Sequence, residues 1–228
     1  MKKSFTLLEL VFVIVVISII ALAILPRINT NNLHEAAIQV VSHIRYTQHL
    51  AMTDDKYDPN EALWFHRRWT IRFHENLTFT NVLPPEESYQ KVWAYTIFSD
   101  LPDYNRHHPD LNGMARNPSN FDQYLSGGVN NTLHVEDTQS MKRMRLGMHY
   151  GIKDVAFSGG CRSNVRYIHF DHLGRPMNSF PDNKPYESAS AGWHKLIHQR
   201  CVITLTSKND ESLAIAIEPE TGYAHILY

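Results

Sequence analysis

The sequence predicts an α+β protein in which a long N-terminal helix, transmembrane and then amphipathic, packs on a C-terminal antiparallel β domain. Three observations predict this class. Between Phe5 and Leu25 only three residues are not apolar. The segment that follows, up to residue 53, has apolar residues at three- and four-residue steps, as one face of a helix does. Beyond it come short segments rich in aromatic and β-branched residues, which is typical of strands.

The composition is that of a folded protein. The chain has 228 residues, of which 43% are hydrophobic and 20% charged, and these fractions exclude disordered and low-complexity chains. The 22 Lys and Arg residues against 23 Asp and Glu residues give a formal net charge of -1. There is no overall attraction for nucleic acid or anionic lipid, so any such binding requires a local patch.

The apolar N-terminal stretch is the first element. As a helix, the residues from Phe5 to Leu25 extend about 30 Å, the thickness of the hydrocarbon core of a bilayer. Lys2 and Lys3 lie before it, which predicts a cytoplasmic N-terminus and an external domain. The alternative is a secretory signal peptide cleaved after Ala23. Glu9 argues against that alternative, because a carboxylate within an apolar helix is rarely kept without a partner.

One segment resembles a known family. Lys3-Ser4-Phe5-Thr6-Leu7-Leu8-Glu9, the apolar run behind it and Pro26 resemble the class III signal of type IV pilins and type II secretion pseudopilins. The resemblance implies that a prepilin peptidase cleaves between Ser4 and Phe5 and methylates the new amine of Phe5. It also implies that Glu9 meets the N-terminal amine of a neighbouring filament subunit. Ser4 departs from the family, which usually has Gly there.

Pro26 stands where this family often has a helix-distorting proline, and the alternative is that it ends the membrane helix. Behind it, an apolar helical stripe is expected to pack on the domain. The stripe consists of Leu33, Ala37, Val40, Val41, Ile44 and Ala51. We expect His34, Gln39, His43 and Gln48 to be more exposed to water. Turn-forming residues from Asp54 to Asn60 then end the helix.

The domain organisation follows as a leader at 1–4, a long helix at 5–53 and a β-rich domain at 54–228. Strands are predicted near 69–74, 92–98, 167–171, 202–206, 213–217 and 225–228. The region 99–131, rich in Asn, Asp, Pro, Gly and His, predicts a long loop that is functional or mobile. The stretches 168–176, 201–205 and 217–222 resemble the C-terminal half of H-type minor pseudopilins.

The two cysteines, Cys161 and Cys201, lack the spacing of a zinc or thioredoxin-like site. They fit either one structural bridge or two inert thiols. The inferred location is the bacterial inner membrane, crossed once, with the C-terminal domain in the periplasm and the chain on a filament after assembly. In that compartment the bridge is the favoured interpretation.

No catalytic motif is present, and neither enzyme activity nor a cofactor or metal is expected. His34 begins an HExxH pattern, but Ile38 occupies the position of the second ligand, so no helical zinc pair exists. The densest group of possible ligands, His107 and His108 with Asp103 and Asp110, is interpreted as a solvated loop. Asp100, Asp103 and Asp110 could alternatively supply oxygen ligands for calcium, although their spacing matches no known calcium loop.

The predicted function is structural: a minor pseudopilin or pilin whose partners are the prepilin peptidase and other pilins or pseudopilins. Type II secretion and type IV pilus systems are not distinguished. The alternative is a filament-borne module for DNA uptake or adhesion. For DNA, the candidate cations are Lys142, Arg143 and Arg145, with a second basic spot at His66-Arg67-Arg68. A membrane-anchored enzyme is a third alternative and would need a pocket of convergent titrating groups.

Overall fold

The computed structural model describes residues 7–75, 92–100, 109–128, 133, 137–178, 184–186 and 195–228. Within 21–31 it describes the backbone alone. Two α-helices and ten strands are described. The helices are α1 (Leu7–Thr53) and α2 (Leu146–Tyr150), and 3-10 turns lie at Trp64–Arg67, Leu111–Gly113 and Lys142–Met144. The strands are β1 (Thr70–His74), β2 (Ala94–Phe98), β3 (Arg116–Asn117), β4 (Asn120–Tyr124), β5 (Ile152–Gly159), β6 (Tyr167–Phe170), β7 (Pro176–Met177), β8 (Cys201–Ser207), β9 (Ser212–Ile217) and β10 (Ala224–Leu227).

The second half of α1 forms one wall of the hydrophobic core. The predicted apolar stripe is confirmed, since all six of its residues are buried. Ala36 and Thr47 are buried on the same face. The helix ends at Thr53, where the carboxylates of Asp55 and Asp58 accept backbone N–H groups two residues further on. Such local bonds favour turns over further helix.

The first sheet has the strand order β2-β1-β6-β7, with antiparallel neighbours. Its strands form where core-facing and outward-facing residues alternate along the sequence. In β1, Ile71 and Phe73 point to the core, and the partly buried Arg72 and His74 point to the other face. Phe73 stacks on Tyr95 of β2, with ring centroids 5.4 Å apart. This face of the sheet lies under α1.

The second sheet has the order β10-β9-β8-β5, again antiparallel. In β8 buried and partly buried residues alternate strictly along Cys201–Ser207, because one face packs inward. Phe157 of β5 meets Phe73 of the first sheet edge to face, at 5.6 Å, which joins the two sheets in one core. α1 contacts strands of both sheets.

The predicted loop at 99–131 is only partly a loop. Within its described residues, β3 and β4 form a separate antiparallel hairpin, preceded by the 3-10 turn Leu111–Gly113. The sequence pattern missed the hairpin because β4 is exposed along most of its length and so lacks an apolar face. His107, His108 and Asp103 lie outside the described residues.

The fold class predicted from the sequence is wrong in its N-terminal element. The chain is a mixed α and β fold with antiparallel sheets, and the apolar helical part described at its start has 14 residues. Among the described residues, no helix combines the length and the apolar character needed to cross a membrane. The single-pass inner-membrane localisation, which required such a helix, is therefore wrong as well.

Candidate functional site

The start of α1 carries an exposed apolar surface. We call residues 7–20 the apolar segment; every one of them is exposed, from 81% at Leu7 to 38% at Val16 among the large hydrophobic residues. Ser18 bonds within its own helix, donating to the carbonyl oxygen of Ile14 at 2.8 Å. Glu9 lies in the first turn and is the one charged residue of the segment. The described part of the domain covers none of this surface.

The other N-terminal candidates have different outcomes. Ser4 and Phe5 lie outside the described residues, so cleavage between them and methylation of Phe5 remain predictions. The α1 backbone continues past Pro26 to Thr53, so the alternative in which the helix ends at Pro26 is wrong. The distortion expected at Pro26 remains a prediction.

A chain of polar side chains connects α1 to the first sheet and to α2. Tyr150 donates to the side-chain oxygen of Gln39 at 2.9 Å, and Gln39 donates its amide to Tyr95 Oη at 3.3 Å. Tyr95 Oη lies 2.7 Å from Nδ1 of His43. We assign the proton of the Tyr95 hydroxyl to the bond with Nδ1, so that Nδ1 is the acceptor in a neutral His43 ring.

Burial determines the titration of this group. It lowers the pKa of His43 to about 4 and raises the pKa of the fully buried Tyr95, because both charged forms lose hydration. As expected, His43 and Gln39 are more exposed than the buried stripe, but both also bond to polar side chains of the domain. Apolar periodicity locates the buried side of a helix but does not show polar partners at its margin.

Two turns of the domain are attached to α1 one turn further along. Nε2 of Gln48 donates to the carbonyl oxygens of Gly174, at 2.8 Å, and Thr221, at 2.7 Å. Arg45 donates from Nε and Nη2 to the carbonyl oxygen of Ala224, at 3.0 and 2.8 Å. Gln48 is partly buried, so it is more exposed than the stripe, as expected.

The disulfide between Cys161 and Cys201 is present. Cys201 begins β8 opposite Gly159 of β5, and Cys161 lies two residues beyond the end of β5, so strand pairing brings their Cα atoms to 4.8 Å. Both residues are buried. The alternative of two inert thiols is therefore wrong for this structure.

The basic spots are only partly available to a ligand. Lys142 and Arg143 are exposed, but Arg145 is 8% exposed and donates to the carbonyl oxygen of Gly127 at 3.1 Å. In the other spot Arg68 is 6% exposed and Arg67 pairs with Glu61 at 3.1 Å. Phosphate contacts need cations that DNA can reach, and burial removes Arg145 and Arg68 from such a surface.

Metal ligands do not converge in the part of the chain that is described, where no group of three His, Cys, Asp or Glu residues could hold an ion. Asp110 stands alone at the start of the turn Leu111–Gly113, and the neighbours it was grouped with are not described. The sequence interpretation also missed the hydrogen bonds of Tyr95 and Tyr150 to side chains of α1. The only signal of these bonds in the sequence is the pair of polar residues Gln39 and His43, one turn apart beside the stripe.

Comparison with protein-family models, with curated proteins and with solved structures gives no significant match. A functional assignment therefore depends on the residues and geometry of this chain.

Proposed function

We propose that this chain is a structural subunit of a filament of the type IV pilin or type II secretion pseudopilin kind, assembled after cleavage between Ser4 and Phe5. The observation that supports the proposal is the apolar segment, which is helical, exposed throughout and, apart from Glu9 and Ser18, apolar. Contiguous apolar surface of this extent is unfavourable in water and marks an interaction site.

The occupant we propose for this surface is the same segment of neighbouring copies or similar chains. A helix that is apolar all round belongs in the interior of a bundle, whereas an apolar stripe suits one-sided docking. The buried residues of α1 begin at Leu33 among those described, so the domain packs on the far half of the helix. Each segment can then meet several neighbours at once.

Glu9 supplies the register in this proposal. The amine created at Phe5 precedes Glu9 by four residues, the spacing that places two positions on one helix face. Between helices, a carboxylate loses hydration and needs an opposite charge close by. The Phe5 amine of an adjacent copy offers that charge, and a shift of one helix against the next would separate the two.

The experiment measures incorporation of the full chain into sheared filaments in cells that produce its partner subunits. Glu9→Gln keeps the size of the side chain but removes the charge, and Ser18→Ala is the matched control, because its hydroxyl donates to the carbonyl oxygen of Ile14 in its own helix. We expect Glu9→Gln to reduce the filament fraction about tenfold or more, as loss of a paired charge between packed helices does. Ser18→Ala should assemble as the unchanged chain does.

Intact-mass measurement of the assembled chain tests the processing step independently. The expected mass lacks residues 1–4 and carries one additional methyl group. A filament fraction in which residues 1–4 are retained, or equal incorporation of Glu9→Gln and the unchanged chain, contradicts the proposal.

A further inference from the structure

The part of α1 beyond the apolar segment has an exposed face of its own. The buried stripe of this part faces the domain, and six exposed residues lie on the other side of the helix. We call them the outer stripe: Glu35, Ile38, Ser42, Arg45, His49 and Met52. They follow one another at alternating steps of three and four residues, the spacing of the seam between two packed helices.

The outer stripe is only partly apolar. Ile38 is 50% exposed and Met52 is 48% exposed, whereas the positions between them are polar. A two-helix coiled coil that forms alone has a continuous apolar seam. The outer stripe therefore fits a contact that forms where another surface already holds two helices side by side.

The apolar segment is such a surface. It belongs to the same helix as the outer stripe, since α1 is continuous from Leu7 to Thr53. The 47 residues of this helix rise about 70 Å. A neighbouring helix that packs on the apolar segment can thus continue beside the outer stripe, and the domain leaves that side open because it packs on the buried stripe.

Two opposite charges lie on the outer stripe, ten residues apart. Glu35 lies near Tyr150 and forms no ion pair with any residue that the structure describes. Within the same described part, Arg45 has no carboxylate partner either. Its Nε and Nη2 donate to the carbonyl oxygen of Ala224, and its guanidinium lies 5.1 Å from the ring centre of Tyr223. These contacts hold the cation in place without neutralising it.

The spacing of the two charges defines one displacement between parallel neighbours. Ten residues of helix rise about 15 Å. A neighbour displaced by this length has its Glu35 level with Arg45 and its Ser42 level with Met52. Without a displacement, the two Arg45 side chains would lie level with each other, which is unfavourable because like charges repel.

We propose that the outer stripe binds a second copy of this chain, whose α1 runs parallel and is displaced by about 15 Å, so that Glu35 of one copy pairs with Arg45 of the other. This inference rests on the proposed function, because the apolar segments bring the helices together. An antiparallel pair would also join the two charges, but it would place the apolar segments at opposite ends. Glu9 and the Phe5 amine are only four residues apart, so their contact involves a different neighbour.

The experiment detects the displacement by oxidative cross-linking of cysteines in sheared filaments. Cells that produce the partner subunits make two full chains with different tags, one carrying Ser42→Cys and the other Met52→Cys, so both charges stay intact. The native cysteines are joined to each other and buried. Glu35→Arg is then added to both chains. The matched control, Glu211→Arg, reverses an exposed carboxylate in the turn before β9.

We expect a cross-link between the two tagged chains in the filament fraction. Glu35→Arg should reduce its yield about threefold or more, because a charge pair is replaced by two like charges, whereas Glu211→Arg should leave the yield unchanged. Arg45→Glu combined with Glu35→Arg exchanges the charges and should restore the cross-link. If Arg45→Glu does not fold, the contrast between Glu35→Arg and Glu211→Arg decides.

Two kinds of failure are distinguishable. If the chains enter filaments but Ser42→Cys and Met52→Cys do not cross-link, or if Glu35→Arg has no effect on the yield, this inference is overturned and the proposed function stands. A cross-link of Ser42→Cys to Ile38→Cys in place of Met52→Cys indicates an antiparallel pair and also overturns it. Absence of the unchanged chain from filaments overturns the proposed function and this inference together.

Discussion

Acidification should weaken the packing of α1 on the first sheet through His43. In the folded chain Nδ1 of His43 accepts the Tyr95 hydroxyl, 2.7 Å away. Protonation of Nδ1 would turn this acceptor into a donor, and Tyr95 already accepts from Gln39. The tyrosine hydroxyl would then lose its acceptor in a buried position, so the folded state resists protonation.

The size of the effect follows from the pKa difference between the two states. Folding lowers the pKa of His43 from 6.5 to about 4, and one pKa unit corresponds to about 1.4 kcal/mol. Below pH 6.5 the unfolded chain takes up a proton that the folded chain does not. The free energy of unfolding therefore falls as the pH falls from 6.5 to about 4, by about 3 kcal/mol from this group. Above pH 6.5 the contribution of the neutral His43 to the free energy of unfolding is fully present.

The measurement is the free energy of unfolding of the full chain in urea at a series of pH values between about 7 and 4. His43→Asn places an acceptor oxygen near the position of Nδ1 but does not titrate, so the difference in pH dependence between it and the unchanged chain isolates the histidine. His149→Asn, which replaces an exposed histidine of α2, is the control. The titrating groups near the polar chain, Tyr150 with Glu35 and Arg143 beside it, are the same in all three proteins. Parallel pH curves for His43→Asn and the unchanged chain would refute the reasoning.

Three further predictions concern stability. Gly222→Ala should lower the free energy of unfolding by more than about 2 kcal/mol, because φ is +64° and a Cβ would meet the carbonyl oxygen of Gly174. The control, Gly151→Ala, has φ of +71° and open space around the Cβ, and should cost only about 1 kcal/mol. Equal losses of the two variants in urea unfolding would exclude the contact with Gly174 as the cause. Reduction of the disulfide, whose cysteines are 40 residues apart, should lower the unfolding free energy by about 4 kcal/mol, and an unchanged unfolding midpoint with and without reductant would contradict this. Arg145→Ala should lower the free energy of unfolding by about 2–4 kcal/mol, because its buried hydrogen bonds are lost. The control, Arg143→Ala, replaces an exposed side chain and should change the free energy of unfolding by less than about 0.5 kcal/mol. Thermal unfolding measures this contrast, and similar losses of stability in the two variants would disprove it.

Alternation and helical periodicity predicted the parts of the fold that bury one apolar face. The strand expected at 202–206 lies within β8, and the stripe from Leu33 to Ala51 is buried as expected. β5 escaped prediction although it pairs with β8 along its length. Its register shifts between Ile152 and Asp154, so its inward residues do not keep a period of two.

The contacts of the candidate site could be predicted only in part. The sequence identifies the apolar segment and Glu9 through composition alone, because neither depends on distant residues. It identifies Arg68 as part of a basic spot, but burial beneath Tyr186 depends on residues more than a hundred positions away. The membrane span was counted from Phe5 to Leu25 in the sequence. The apolar helical part described at the start of α1 is shorter, with 14 residues.

Because α1 is attached through main-chain oxygens, the side chain of Thr221 in one of these turns is open to substitution. Gln48 and Arg45 bind main-chain carbonyl oxygens, at Gly174, Thr221 and Ala224, and every residue type carries such an oxygen. A substitution at Thr221 therefore preserves the bond as long as the turn keeps its shape. Sequence drift on this surface can change what the outer face of the domain presents without loosening the helix beneath it.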